Sequence, residues 1–121
     1  MEARALKKSL RMSPRKLRLV IDLIRGKKAS EAITMLRFHT KHAAHEAEMV
    51  LRSAIANLKQ KADADGIRIK DNDITITKIF VDNGSIIYRR LPAPRGMAFR
   101  IRKRTAHLTI IVGIPDQEVI K

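Results

Sequence analysis

From Asn83 to Pro115 the chain has no Asp or Glu, and seven Arg and Lys side chains crowd into its middle, YRRLPAPRGMAFRIRKRT, residues 88–105. Like charges at this density cannot be packed into a core without partners. Yet Tyr88, Leu91, Phe99 and Ile101 make the segment too apolar for a disordered tail, which is poor in aromatic and β-branched residues. Whatever fold forms must hold this stretch outside its core and present it to something anionic. The remaining charge agrees. Residues 1–28 hold ten basic and two acidic side chains, residues 29–73 seven of each, and residues 74–121 nine against three, giving +14 in all. A small domain stays soluble with a net charge of roughly 2 to 8 and normally mixes signs over its surface. An excess confined to two flanks implies a polyanion: nucleic acid first, an acidic membrane surface second.

The 121 residues suffice for one domain with one core. The four aromatics, Phe38, Phe80, Tyr88 and Phe99, leave that core to Ile, Leu, Val and Ala. Cysteine is absent, which excludes a disulfide framework and thiolate metal sites and favours an intracellular, cytoplasmic protein. The opening MEARALKKSLRM lacks the apolar centre of a signal peptide, and no apolar run approaches the roughly 18 residues of a membrane span.

Residues 3–12 alternate as a short edge strand, with Leu6, Leu10 and Met12 expected on one side and Ala5, Lys7, Ser9 and Arg11 on the other. Ser13-Pro14 then predicts a helix start, Leu17, Val20, Ile21 and Ile24 its buried stripe, and Gly26 its end. A second face of this helix carries Arg15, Arg18, Asp22 and Arg25, which makes Asp22 an ion-pair holder between Arg18 and Arg25 and not a catalytic acid. SEAITMLRF, residues 30–38, reads as a short helix capped by Ser30 with Ile33 and Leu36 inward. Thr40 is placed to cap a third helix reaching about Ala64, whose stripe is Ala47, Val50, Leu51, Ala54, Ile55 and Leu58. DADGIRIKDND is a turn-rich connection.

From Ile74 the period changes to two, with Ile74 and Ile76 alternating with Thr75 and Thr77. TAHLTIIVGI, residues 105–114, places Leu108, Ile110, Val112 and Ile114 on one face. Two strand-rich arms thus enclose the basic segment. Either of two turns can join them: Asn83-Gly84, a strong hairpin signal, or Pro92-Ala93-Pro94-Arg95-Gly96, with Asn83-Gly84 then a bulge or bend within a longer arm. In a strand, Arg100, Arg102 and Arg104 stand on one face about 6.6 Å apart. The long-hairpin reading adds Arg89 to that face and puts Tyr88, Phe99 and Ile101 on the other. Guanidinium groups suit phosphate because their planar fork binds it bidentately.

No pattern points to an enzyme. His39, His42 and His45 step by three and drift around a helix, and with Glu46 they do not form H-E-x-x-H, so neither metal nor cofactor is expected. There is no glycine-rich phosphate loop, and the four aromatics are too few for a stacking platform like those that bind single strands. Recognition is expected to run through phosphates and shape.

The segments SPRKLRLVIDLIRGKKASEA (13–32), AEMVLRSAIANL (47–58), KIFVDNG (78–84) and RGMAFRIRKRTAHLTIIV (95–112) together resemble the bacterial large-subunit ribosomal protein family L twenty-two. The resemblance implies an α+β fold: three helices packed on a small three-stranded antiparallel sheet, with residues about 80–107 of a single domain spanning 1–121 forming a long projecting β-hairpin. It also implies a structural constituent of the large subunit that binds ribosomal RNA and supports assembly, its body near the mouth of the peptide exit tunnel. The hairpin would line that tunnel, close to ribosomal protein L four and to the passing nascent peptide, with no homo-oligomer. Lys7, Lys8, Arg11, Arg15, Lys16, Arg18, Arg25, Lys27 and Lys28 are then the body's candidate RNA contacts, and Arg89, Arg90, Arg95, Arg100, Arg102, Lys103 and Arg104 the hairpin's. The tunnel-lining tip would be Arg90, Leu91, Pro92, Ala93, Pro94, Arg95, Gly96 and Met97. The family tip tends to read P-R-A-K-G-R-A, where this chain has Pro92-Ala93-Pro94-Arg95-Gly96-Met97-Ala98, and Ser85 replaces a usual proline. The residues after Val112 carry no motif.

A DNA-bending architectural protein is the alternative, since basic β-arms with proline at the tip can wedge into a minor groove. The resemblance also favours the turn at residues 92–96, giving arms of about 13 residues, or about 43 Å. A two-stranded ribbon of that length is marginal in water alone. In the free protein, amide exchange over residues 86–102 is therefore expected to be fast compared with the third helix; comparable protection in both would show that the ribbon needs no partner.

Overall fold

Helix α1 (Pro14–Ile24) shows how the elements are assembled. Proline at its first position costs no hydrogen bond, and Leu17, Val20, Ile21 and Ile24 are fully buried, as their spacing requires. The helix stops in a tight turn in which Lys27 N–H donates to Ile24 C=O at 3.2 Å. Arg25 there is extended and Gly26 has φ 77°, a type II turn whose third position favours glycine. The computed structural model describes residues 1–114; of the extension after Val112, residues 115–121 lie outside the described residues.

Chain order is β1 (Glu2–Leu10), α1, α2 (Ala29–Arg37), α3 (His42–Ala64), β2 (Thr75–Asn83), β3 (Ile87–Pro92), β4 (Ala98–Lys103) and β5 (Ala106–Gly113). The sheet is antiparallel in the order β1-β5-β2, and β3 pairs only with β4 in a separate two-stranded ribbon. The helices form a layer over the sheet, with α3 against β1 and β5, α1 along β2, and α2 packed on α3. Its small buried residues, Ala43, Ala44, Ala47 and Ala54, let α3 approach its neighbours closely. Ile79 and Val81 of β2 and Leu108, Ile110 and Val112 of β5 supply the sheet's share of the core. This is the α+β arrangement that the resemblance implies.

Three local expectations are corrected. In β1 the inward residues are Ala3 and Ala5, and Leu6 is 47% exposed. Between Lys7 and Leu10 the register shifts, with Ser9 at φ 59°; this bulge swaps the faces, so Leu10 is buried although it shares the parity of Leu6. Ser30 lies inside α2, which starts at Ala29. The first N–H group of α2 is satisfied by the residue just before β2, Ala29 N–H donating to Ile74 C=O at 2.9 Å, so that group needs no side-chain cap. Thr40 precedes the cap of α3, which is Lys41.

The outer sheet edges are closed from the helices. Along β2, Arg25 donates to Ile79 C=O at 2.7 Å and Arg18 to Val81 C=O at 2.9 Å. Along β1, Asn57 and Lys61 of α3 donate to the Arg4 and Glu2 carbonyls, both at 2.9 Å. Unpaired strand edges invite further pairing, and these side chains occupy their acceptors.

The choice between turns falls to residues 93–97. Ala93 N–H donates to Met97 C=O at 2.8 Å, and β3 and β4 pair from Pro92↔Ala98 down to Ile87↔Lys103. Asn83-Gly84 is the bend at the ribbon's root. Asn83 still faces Ala106 in the sheet, and the next register pair is Ile87↔Lys103, so three residues on one arm oppose two on the other. Gly84 N–H donates to Thr105 C=O at 2.9 Å, and the arms come so close that a Cβ on Gly84 would lie 2.3 Å from Thr105 Oγ1 and 3.1 Å from its backbone. Gly84→Ala is therefore expected to cost about 1–3 kcal/mol in denaturant unfolding. Paired with Thr105→Ala it should lose less than the two single changes summed; strict additivity would show that the close approach is not what requires glycine.

Candidate nucleic-acid interface

On the ribbon, residues directly opposite one another share a face. The register Tyr88↔Arg102 and Arg90↔Arg100 gathers Tyr88, Arg90, Arg100 and Arg102 on one side, and Arg100 lies over the Tyr88 ring at 4.8 Å from its centroid. The pairs Ile87↔Lys103, Arg89↔Ile101 and Leu91↔Phe99 occupy the other. This corrects the expected faces: Arg90, not Arg89, joins Arg100 and Arg102, and Tyr88 sits among them. The extra residue at the Gly84 bend sets the register of the two arms, which alternation within one arm cannot reveal. Arg104 follows β4 in the bend and belongs to the root.

The guanidinium face is built under electrostatic tension. Arg90 and Arg100 stand directly opposite, an arrangement that destabilises a strand pair unless a counter-charge intervenes. Among the described residues no ion pair involves a ribbon cation. The Tyr88 ring offsets part of the repulsion by accepting the Arg100 cation on its π face. The opposite side exposes apolar surface, with Phe99 61% and Leu91 52% accessible. At the tip, Arg95 has φ 65°, a left-handed backbone that costs a non-glycine residue about 1–2 kcal/mol. Arg90, Leu91, Pro92, Pro94, Arg95, Gly96 and Met97 are exposed, and Ala93 is half-buried.

The body's candidates divide into two groups. β1 ends at Leu10, opposite Ala106, where the ribbon leaves the sheet, and α1 begins four residues later. Pro14, Asn83, Ile86, Arg104 and Thr105 line one cleft at this root. Exposed Lys8, Arg11 and Arg15 therefore lie toward the same end as Arg104, with Lys16 on the first turn of α1. Lys27 and Lys28 lie at the far end, where Lys28 bridges to Thr75 beside the start of β2.

Three of these cations already have protein partners. Arg18 and Arg25 hold the β2 edge, and Arg25 also pairs with Asp22 at 3.2 Å, so Asp22 has one of its two expected partners. Each guanidinium has five donors, so both retain capacity toward solvent. Lys7 pairs with Glu46 at 2.9 Å. That hydrogen bond, with Lys7's charge and the nearby His42 and His45, holds the Glu46 carboxyl below the ordinary range against the opposing effect of its burial. Among the described residues no group of three His, Cys, Asp or Glu side chains could hold a metal ion.

Sequence reasoning passed over two cations. Arg4 on β1 and Lys78 on β2 both register with Ile111 of β5, which puts them in one row on the sheet face away from the helices. Their alternation with buried neighbours was the available signal, but β1's bulge and a second one between Ile76 and Lys78 obscure it.

The family described as Ribosomal protein L22p/L17e matches residues 5–113, which takes in β2 to β5 whole and β1 from Ala5 onward. The chain is 46% identical over 112 residues to a large ribosomal subunit protein uL22 of Bifidobacterium animalis subsp. lactis, covering 93% of this chain and 94% of that protein. A uL22 of Bifidobacterium longum matches to the same extent. One of Bacteroides fragilis is 48% identical over 101 residues, 84% of this chain and 72% of that protein. With the sheet, the three helices and the basic ribbon in place, the chain belongs to the Ribosomal protein L22p/L17e family, whose members are structural proteins and not enzymes.

Proposed function

We propose that this chain is a structural constituent of the large ribosomal subunit in the cytoplasm and that it binds ribosomal RNA through the cationic ribbon and the basic groups near both ends of α1. The observation that carries this reading is the β3–β4 ribbon. It has no acidic side chain, an arginine face on which Arg90 and Arg100 are direct cross-strand partners, and no packing partner of its own size among the described residues of the body. Phosphates between the arginines would relieve their repulsion and stabilise such a surface. The family assignment supplies the polyanion that composition alone left open.

In this reading the root group, with Lys8, Arg11, Arg15, Lys16 and Arg104, grips RNA where the ribbon emerges, and Arg90, Arg100 and Arg102 follow the backbone along the shaft. Lys27 and Lys28 reach RNA at the opposite end of α1. Lys7, Arg18 and Arg25 contribute through donors left over from their protein contacts. The second ribbon face, with Arg89 and Lys103 flanking Ile87, Leu91, Phe99 and Ile101, has the mixed character of a surface that meets both RNA and protein. The tip from Arg90 to Met97 then lines the peptide exit tunnel, near ribosomal protein L four and the nascent chain. Cations spread from body to tip neutralise RNA segments that would otherwise repel one another, and this is how the protein supports assembly.

Replacing Arg100, Arg102 and Arg104 together is expected to flatten the log-log salt dependence of ribosomal RNA binding by about two to three units, since each phosphate contact accounts for roughly 0.7 to 0.9. An unchanged slope would remove these arginines from the interface. In assembled subunits a crosslinker placed at residues 90–97 should reach tunnel RNA and L four. Preference of the free protein for duplex DNA over folded ribosomal RNA would favour the DNA-bending alternative.

A further inference from the structure

The sheet face opposite the helices is covered by no element of the described structure, yet it is not built as a solvated face. Its central row is Leu6, Thr109 and Phe80, and the adjacent row is Arg4, Ile111 and Lys78. Phe80 is 40% and Leu6 47% exposed, while Thr109 between them is buried. An antiparallel sheet can turn one face to water, but that face is then normally polar. Here an aromatic ring and two aliphatic side chains are flanked by a cation on each outer strand. Two acids share this face: Glu2, two residues before Arg4 and level with Gly113, and Asp82, two residues beyond Phe80 and opposite His107, whose Nδ1 accepts a hydrogen bond from Ser9 N–H at 3.0 Å; among the described residues neither forms an ion pair with Arg4 or Lys78.

We propose that this face binds a single unpaired nucleotide of ribosomal RNA, its base stacked on Phe80 and its phosphates held by Lys78 and Arg4. The inference rests on the RNA-binding reading above and extends it to a surface on the other side of the sheet from α1. Charge complementarity selects the occupant. Lys78 and Arg4 lie about 10 Å apart across the central strand, and Lys78 and Phe80 about 7 Å apart along β2. A phosphate at the cation therefore leaves its own base within reach of the ring. Stacking does not discriminate strongly among bases, because each has a π face, and splayed-out bases on sheet aromatics are a recurrent mode of RNA recognition. An apolar protein segment would cover Phe80 and Leu6 equally well, but it would bring no counter-charge to Arg4 and Lys78, which have no ion-pair partner among the described residues.

The test irradiates the intact protein bound to protein-free large-subunit ribosomal RNA with ultraviolet light and locates nucleotide adducts by mass spectrometry after trypsin and nuclease digestion. The tryptic peptide spanning residues 79–89 contains both Phe80 and Tyr88, so fragment ions must assign the adduct. The expected result is an adduct on Phe80. Phe80→Leu, with melting temperature retained, should weaken RNA binding about five- to a hundredfold. Lys78→Gln should lower the log-log salt slope by about 0.7 to 0.9. Wild-type protein that binds RNA with no adduct on Phe80, together with unchanged affinity in Phe80→Leu, would overturn this site and leave the ribbon interface standing. So would crosslinking of Lys78 to another protein in assembled subunits. Failure of the wild-type protein to bind ribosomal RNA at all would overturn the parent reading, and this site with it.

Discussion

The antiparallel ladder between β2 and β5 is anchored at one end by the core and continues past Asn83 and Ala106 as the β3–β4 ribbon. Ile79 and Val81 on one strand and Leu108, Ile110 and Val112 on the other are buried beneath the helices. A slip of one residue would turn all of them toward solvent. That penalty fixes the register where the ladder is covered, and the hydrogen bond from Gly84 to Thr105 carries it into the part that is not. The ribbon makes little contact with the body, so its geometry is inherited from strands that do.

Holding that root still requires the sheet edges to be quiet. Arg18 and Arg25 on β2, and Asn57 and Lys61 on β1, occupy carbonyls that would otherwise face outward unpaired. The same α1 helix presents Arg15 and Lys16 to solvent, so a helix that braces the sheet also carries part of the interface. An arginine can serve both ends because its donors point in several directions. For Arg18 and Arg25, loss of RNA binding on substitution would mix a lost phosphate contact with a loosened β2. Arg100 and Arg102, without partners in the body, report on the ligand more cleanly.

The helices were legible because their buried stripes repeat with the helical period over at least two turns: Leu17 to Ile24 and Ala47 to Leu58 lie where spacing places them. Strand faces were harder. Leu6 points outward because a single residue, Ser9, enters a left-handed conformation and breaks the alternation. The start of α2 was misplaced for a related reason: its first N–H bonds to Ile74, just before β2, so the signal of a capping side chain was never needed. Tyr88 and Arg89 exchanged their expected faces because cross-strand pairing depends on three residues opposing two at the root.

The amino-acid order alone determined that a basic, acid-free segment had to stand outside a small aliphatic core and meet a polyanion, because charge and apolar content are properties of composition and spacing. It also determined the helices, whose hydrogen bonds are local. Tertiary structure decided between the two turns, set which arginines share a face, engaged Lys7, Arg18 and Arg25 within the protein, and left the Phe80 face uncovered by the described residues. Each of those outcomes is a pairing between residues distant in sequence, and such pairings follow from burial of the joined strands and not from either strand's own pattern.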